Sequence, residues 1–297
     1  MDLKSIRTLL DGSRRHVAFI DVLGYKSIVT GTLPDERKFR RLHALFETFG
    51  VAVFTGIADF NQNLSATDPG YVHGVTFSDS LYLAAQDLPA LLRFLEGMFA
   101  TTYGFQEHTY DEDADSWVPF IRAGIAHGWV VNFRDVTMNQ LQGRGVFRNP
   151  VGPAVADAYV LTECTGKLPG MRCFMERRLL EGVDVKQVAA PKHYLIETAS
   201  RILRLLDVPP GDSKTENLEL VELAWPCHVI DGDNCCFHKP LAAVRRQFEG
   251  GDAVKHYNGT VELFERTVEI VKDEVAKRVW DEQAGRTCLL LPGPPGK

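Results

Sequence analysis

The chain alternates short unbroken apolar runs with longer stretches whose apolar residues recur three and four apart. Arg15 to Gly24 (RHVAFIDVLG) is a β-branched and aromatic run closing at glycine, which predicts a buried strand with Asp21 at its carboxyl end. From Pro34 to about Phe60, the residues Phe39, Leu42, Leu45, Phe46, Phe49 and Val53 fall at helical spacing. A loop follows over residues 63–70 (NLSATDPG). Tyr71 to Phe77 and Leu81 to Ala85 are two apolar runs around the polar centre Ser78-Asp79-Ser80, the pattern of a β-hairpin with Asp79 at or near its turn. Pro89 to Phe99 is apolar on one helical face, through Leu92, Phe94, Leu95, Met98 and Phe99.

The acidic segment 111–115 reads as a solvated loop, and Trp117 to Phe133 as a strand carrying Arg122-Ala123-Gly124-Ile125-Ala126-His127-Gly128. A turn-rich link over 143–153 leads into a helix from about Pro153 to Glu163, with proline tolerated in the first turn. Further strands are expected at Arg172 to Met175, Tyr194 to Ile196 and Val221 to Ile230. Amphipathic helices are expected at Ala242 to Phe248 and Val261 to Val279, before a frayed tail, Pro292 to Lys297. The order strand, helix, hairpin, helix, strand, helix, strand predicts an α+β fold: a central, mostly antiparallel sheet flanked by helices. The best candidate boundary is Val208-Pro209-Pro210-Gly211-Asp212, which separates residues 1–208 from a C-terminal elaboration, 209–297, packed on the same domain.

Composition narrows the classes. With 297 residues, 45% hydrophobic and 24% charged, the chain is an average globular protein and excludes disordered, collagenous and disulfide-scaffold classes. The net charge of −6 gives no basic field for nucleic acid or an anionic membrane, so neither is expected as a partner. No apolar run approaches the roughly 20 residues of a membrane span. With no leader-like segment after Met1-Asp2-Leu3-Lys4, a cytoplasmic address with reduced thiols is expected for the six cysteines. There is no Walker G-x-x-x-x-G-K-[ST], no G-x-G-x-x-G after a strand and no H-E-x-x-H.

Candidate chemistry centres on Asp21 and Asp79. Each stands at the edge of an apolar strand, where a carboxylate is costly unless it meets a metal, a cation or backbone donors. They are 58 residues apart with a long helix between, the length needed to bring the chain back to an adjacent strand. Two such carboxylates repel, and a divalent cation that also holds a nucleoside triphosphate relieves that repulsion. The turn Val22-Leu23-Gly24-Tyr25-Lys26 adds backbone donors for phosphate. The simpler alternative is that Asp21 caps a turn and Asp79 closes a hairpin.

Phe19-Ile20-Asp21-Val22-Leu23-Gly24-Tyr25 resembles the F-x-D-I-x-G-F motif that opens the class III nucleotide cyclase domain. Phe77-Ser78-Asp79 resembles its hairpin Gly-Asp, Ile121 to Gly128 its R-x-G-I-x-x-G strand, and Gly152 to Tyr159 its helix G-x-x-V-N-x-A-x-R, with Cys164-Thr165-Gly166 where that helix ends. The resemblance spans about Val17 to Gly166 and implies a catalytic domain over 1–208. It implies that Asp21 and Asp79, with the Val22 carbonyl, hold two ions, Mn²⁺ or Mg²⁺, and that Leu23, Gly24, Tyr25 and Lys26 hold the triphosphate. His73 and Asn149 fall at the family's base-reading positions. Ala156 and Val160 stand at its transition-state asparagine and arginine, so a replacement cation is sought among Arg148, Arg144 and Arg122; a solvated loop charge is the alternative for Arg148.

With its altered helix, the chain looks like the bacterial pyrimidine cyclases of anti-phage defence. That resemblance implies a homodimer with active sites at the interface, acting on a nucleoside triphosphate, UTP in the preferred reading, to give cyclic UMP. A catalytically inactive nucleotide-binding sensor and an ATP cyclase are the alternatives. Cys227-His228 and Cys235-Cys236-Phe237-His238 offer zinc-type ligands without a C-x-x-C pair, and buried small apolar cysteines explain them more simply.

Overall fold

A computed structural model describes residues 14–23, 25, 35–77, 80–109, 120–130, 150–164, 168–183, 205–208, 218–227 and 254–267. The strands are β1 (Arg14–Val22), β2 (His73–Phe77), β3 (Ser80–Ala85), β4 (Ile121–Trp129), β5 (Cys173–Glu176), β6 (Leu205–Asp207) and β7 (Leu220–Leu223). The helices are α1 (Glu36–Phe60), α2 (Leu88–Thr109), α3 (Pro153–Cys164) and α4, over 254–267. All seven strands form one sheet in the order β2-β3-β1-β4-β5-β7-β6. Every pair is antiparallel except β4–β5, whose parallel crossover is made through α3. The expected α+β architecture is therefore the observed one, with the chain beyond residue 208 supplying β7 to the same sheet.

The two faces of β1 carry different cores, because successive side chains on a strand point to opposite sides. Ala18, Ile20 and Val22 belong to the large core that also holds Val53, Ile57 and Phe60 of α1, Leu91, Leu92 and Leu95 of α2, and Leu263 and Phe264 of α4. Trp225 anchors the far end of that core: it is fully buried, donates its indole N–H to the Met171 carbonyl at 2.8 Å, and packs edge-on against Phe264. Val17 and Phe19 face the other way, into a smaller core with Ala84, Ala154, Val155 and Ala158.

α3 lies so close to β4 that glycine is required beneath it. A Cβ on Gly124 would come within 2.5 Å of the Thr162 hydroxyl and 2.7 Å of the Ala158 carbonyl. The small residues Ala154, Ala158 and Thr162, four apart on α3, form the ridge that seats on Gly128 and Gly124. Gly152 starts the helix with φ +153°, where a Cβ would collide with the Trp129 carbonyl, and its own carbonyl accepts from Val155 and Ala156.

The outer strands are joined by buried charge. Arg172 grips Glu222 with two 2.7 Å bonds, both side chains fully buried, and Arg266 of α4 also donates to Glu222 and to the Asp207 carbonyl. The elements differ in extent from expectation at four places, one of them the last helix, expected from Val261 and already formed at residue 254. The helix expected to end at Phe99 runs on to Thr109, the strand expected over Trp117 to Phe133 is described from Ile121 to Trp129, and the strand expected to reach Ile230 stops at Leu223. There the chain turns, Cys227 donating to the Ala224 carbonyl across Pro226, which has no N–H for a ladder. β6 was not expected from the pattern, and the elements expected at Tyr194 to Ile196 and Ala242 to Phe248 lie outside the described residues.

Candidate functional site

Asp21 is the next-to-last residue of β1, one of the three middle strands of the sheet, and is half-buried. Its register partners are Ser80 on β3 and Arg122 on β4. Directly opposed residues of antiparallel strands share a face, so Asp21, Ser80 and Arg122 project on the α3 side of the sheet. Ser80 is the residue after Asp79. The hairpin pairs Phe77 with Ser80, and Ser78 and Asp79 between them lie outside the described residues.

The backbone at the end of β1 has a definite polarity. The Leu23 N–H donates to the Phe120 carbonyl, toward β4, at 2.7 Å. No peptide bond described is cis, so the Val22 carbonyl, in the same planar group, points the opposite way, toward the β3 side. The Leu23 amide is thus committed to the sheet and its side chain to the large core. The Tyr25 ring also packs against that core. Gly24 and Lys26 of the same turn, and Arg144, Arg148 and Asn149, lie outside the described residues.

Arg122 is 7% exposed, with Nη2 4.0 Å from the Glu163 carboxylate of α3. Its Nε is buried and has no hydrogen-bond partner among the described residues. Burial pushes the guanidinium pKa down, while the charges of Asp21 and then Glu163 hold it up. α3 itself carries no basic residue, and Val160 is 49% exposed at the position where the motif would place a cation. Arg122 is thus the described cation facing Asp21.

His73 stands on β2 opposite Ala84, and Val75 opposite Tyr82. Tyr82 is in turn opposite Phe19, and Ala84 opposite Val17, so His73 and Tyr82 share the α3 face with Asp21. The Phe19 ring touches Tyr82 at 4.9 Å and Tyr159 of α3 at 5.2 Å, and the Tyr71 ring lies 4.7 Å from His73. Tyr82 and Tyr159 are neighbours of the site that the motif reading passed over. The two-residue period from Ser80 would have placed Tyr82 on the face of Asp21, whereas only the packing of α3 brings Tyr159 there.

The donor set at the strand end, a carboxylate and a backbone carbonyl, is all oxygen and suits a hard divalent cation such as Mg²⁺ or Mn²⁺ rather than a soft one. Among the described residues, no group of three or more His, Cys, Asp or Glu side chains is placed to hold a metal. Cys227, the first of the zinc-type ligands, is buried, and the others lie outside the described residues. No described helix is long and apolar enough to cross a membrane.

No protein-family model matches the chain, and no curated protein matches it. Among solved structures it is similar to adenylate cyclases from Trypanosoma brucei in their monomeric state, at 12% identity over 71% of this chain and 88% of that one, with a TM-score of 0.41. It is similar to a bacterial light-regulated adenylyl cyclase at 14% identity over 72% and 52%, TM-score 0.47. It is also similar to an adenylate/guanylate cyclase/hydrolase from Silicibacter pomeroyi at 12% identity over 71% and 95%, TM-score 0.42.

Proposed function

We propose that this chain is a nucleotide cyclase of the class III type, closing a pyrimidine nucleoside triphosphate, UTP first, to its 3′,5′-cyclic monophosphate with release of pyrophosphate. The observation that supports this most is the pairing of Asp21 with Ser80, which sets the Phe19-to-Tyr25 motif on the strand beside the one that begins next to Asp79. The biological reading is a second messenger made in anti-phage defence by a cytoplasmic homodimer whose active sites lie at the interface. Residues 1–208 form the catalytic domain in this reading, and 209–297 complete its sheet.

The reaction is in-line attack of the ribose 3′-oxygen on the α-phosphorus. The bond from that phosphorus to the bridging oxygen of the β-phosphate breaks, and pyrophosphate leaves. Asp21, Asp79 and the Val22 carbonyl would hold two Mn²⁺ or Mg²⁺ ions, which when bound neutralise the triphosphate and lower the pKa of the 3′-hydroxyl. In this reading the turn over residues 23–26 is assigned to the phosphates, and His73 and Asn149 to reading the base. Arg148 supplies the transition-state cation that Val160 does not.

A second reading, a nucleotide-binding sensor without turnover, is favoured by one observation: α3 presents Ala156 and Val160 to solvent and carries no basic residue. One experiment separates them. Purified protein is incubated with Mn²⁺ and each of ATP, GTP, CTP and UTP, and products are identified by mass. Cyclic UMP is the expected product. A cyclic purine nucleotide overturns the pyrimidine assignment, and nucleotide binding without any cyclic product establishes the sensor.

A further inference from the structure

At the end of β1 away from Asp21, two histidines meet across the sheet. His16 of β1 is the direct partner of His127 on β4, and Arg14 that of Trp129. Their closeness follows from the hydrogen-bond ladder. The Leu23 N–H donates to the Phe120 carbonyl directly opposite it, and bonded and non-bonded pairs alternate along antiparallel strands. His16 lies an odd number of residues before Leu23, so it and His127 form a non-bonded pair. Such pairs have Cα atoms about 4.5 Å apart and bring their side chains closest. The imidazoles accordingly stack, with ring centres 4.5 Å apart and planes 32° from parallel.

Both rings project from the face of the sheet that carries Ala18 and Ile125, the face turned away from α3. His16 is half-buried there and His127 exposed, so the pair opens to solvent on one side. Nδ1 of His16 is buried without a hydrogen-bond partner among the described residues, an orphaned atom of the kind a bound ion satisfies. Burial, then the neighbouring ring, lowers the His16 pKa, and burial, then Arg14, lowers that of His127. Each ring is therefore neutral at pH 7 and carries a lone pair.

We propose that His16 and His127 form a binding site for one divalent ion of the nickel or copper class, bridging β1 and β4. A metal bonded at about 2.0–2.1 Å to one nitrogen of each ring stands about 3.2 Å from both ring centres, so centres 4.5 Å apart meet it at about 90°. That is the angle between neighbouring ligands of a tetragonal ion, Ni²⁺ or Cu²⁺, and is narrower than tetrahedral Zn²⁺ requires. The two imidazoles supply two ligands, and water on the exposed His127 side completes the set. Arg14, seated over the Trp129 ring, is the charge that works against the ion. The site is separate from the oxygen donors at Asp21, which lie five residues on, about 17 Å along β1, and on the opposite face. It does not depend on the cyclase reading.

Calorimetry with Ni²⁺ tests this on the untagged full chain, in excess Mg²⁺ to occupy oxygen sites, with circular dichroism and solution mass recorded for each protein. One Ni²⁺ per chain is expected, and that site is lost in His127→Gln, whose ring is exposed and outside the core, and in His16→Gln alike. Arg14→Gln is expected to bind Ni²⁺ more tightly, because a positive charge beside the ion is gone. Undiminished binding in folded His127→Gln overturns the site. A rise in solution mass on adding Ni²⁺ also overturns it, since two chains would then share the ion. So does binding indifferent to Arg14, which would place the ion away from His127.

Discussion

Asp21 on β1 and Arg122 on β4 are direct cross-strand partners on the α3 face of the sheet. The guanidinium is buried, and the carboxylate opposite it is among the charges that keep it protonated against the cost of burial. This fixed pair stands at the strand end where the chain turns toward the proposed phosphate site, so the first prediction concerns its acidic half. Asp21→Asn and Asp79→Asn each reduce cyclic-nucleotide formation to background while leaving a folded protein of unchanged mass. Product is measured by mass spectrometry and fold by circular dichroism; undiminished product from either variant removes that residue from the ion site.

The second prediction follows from the seat of α3. A methyl group at Gly124 has the Thr162 hydroxyl, the Ala158 carbonyl and the Thr162 amide all within 2.8 Å of it, two of them backbone atoms that cannot swing aside. Gly124→Ala is therefore expected to lose about 1–3 kcal/mol of stability by overpacking. Urea denaturation measures this, and a midpoint equal to that of the native sequence would show that α3 is free to lift.

Glu222 carries the third. Its carboxylate is fully buried and holds Arg172 of the chain before β5 and Arg266 of α4. Removing it strands Arg172, one of whose terminal nitrogens already lacks a partner among the described residues. Glu222→Leu should cost about 3–5 kcal/mol, and the double variant Arg172→Met/Glu222→Leu should recover much of that, because the fully buried guanidinium is then gone and the part-exposed Arg266 keeps the Asp207 carbonyl. A double variant as unstable as the single one would mean that packing, not charge, dominates there.

Acid sensitivity is the fourth. His16 stacks on His127 with ring centroids 4.5 Å apart, and burial, then the neighbouring histidine, push its pKa down to about 4. His256 is likewise pushed down to about 4 by burial, then by Lys255 and Arg122. The unfolded chain takes up these protons near 6.5 and the folded one only near 4, so stability is complete above 6.5 and falls as pH drops through that window. Thermal melts between pH 7 and 4 should show a declining midpoint, with a shallower decline in His16→Gln. Parallel slopes for the two proteins would mean that His16 does not contribute.

The sequence by itself determined the local elements around the site. The apolar run before Asp21, the paired runs around Asp79, and the glycines of the Arg122 strand were legible because burial on one or two faces leaves a period in the residue string. Those periods record whether a residue is buried, not what lies opposite it. That Asp21 faces Arg122, that Tyr159 comes to rest beside Phe19, and that Leu23 spends its amide on Phe120 were decided only when strands far apart in the chain were paired and α3 was laid across them. The Glu222 network depends on partners 50 and 44 residues away, which leave no local pattern at all. A buried charge looks like a surface charge in sequence, because its cost is met by residues that only the folded sheet brings near.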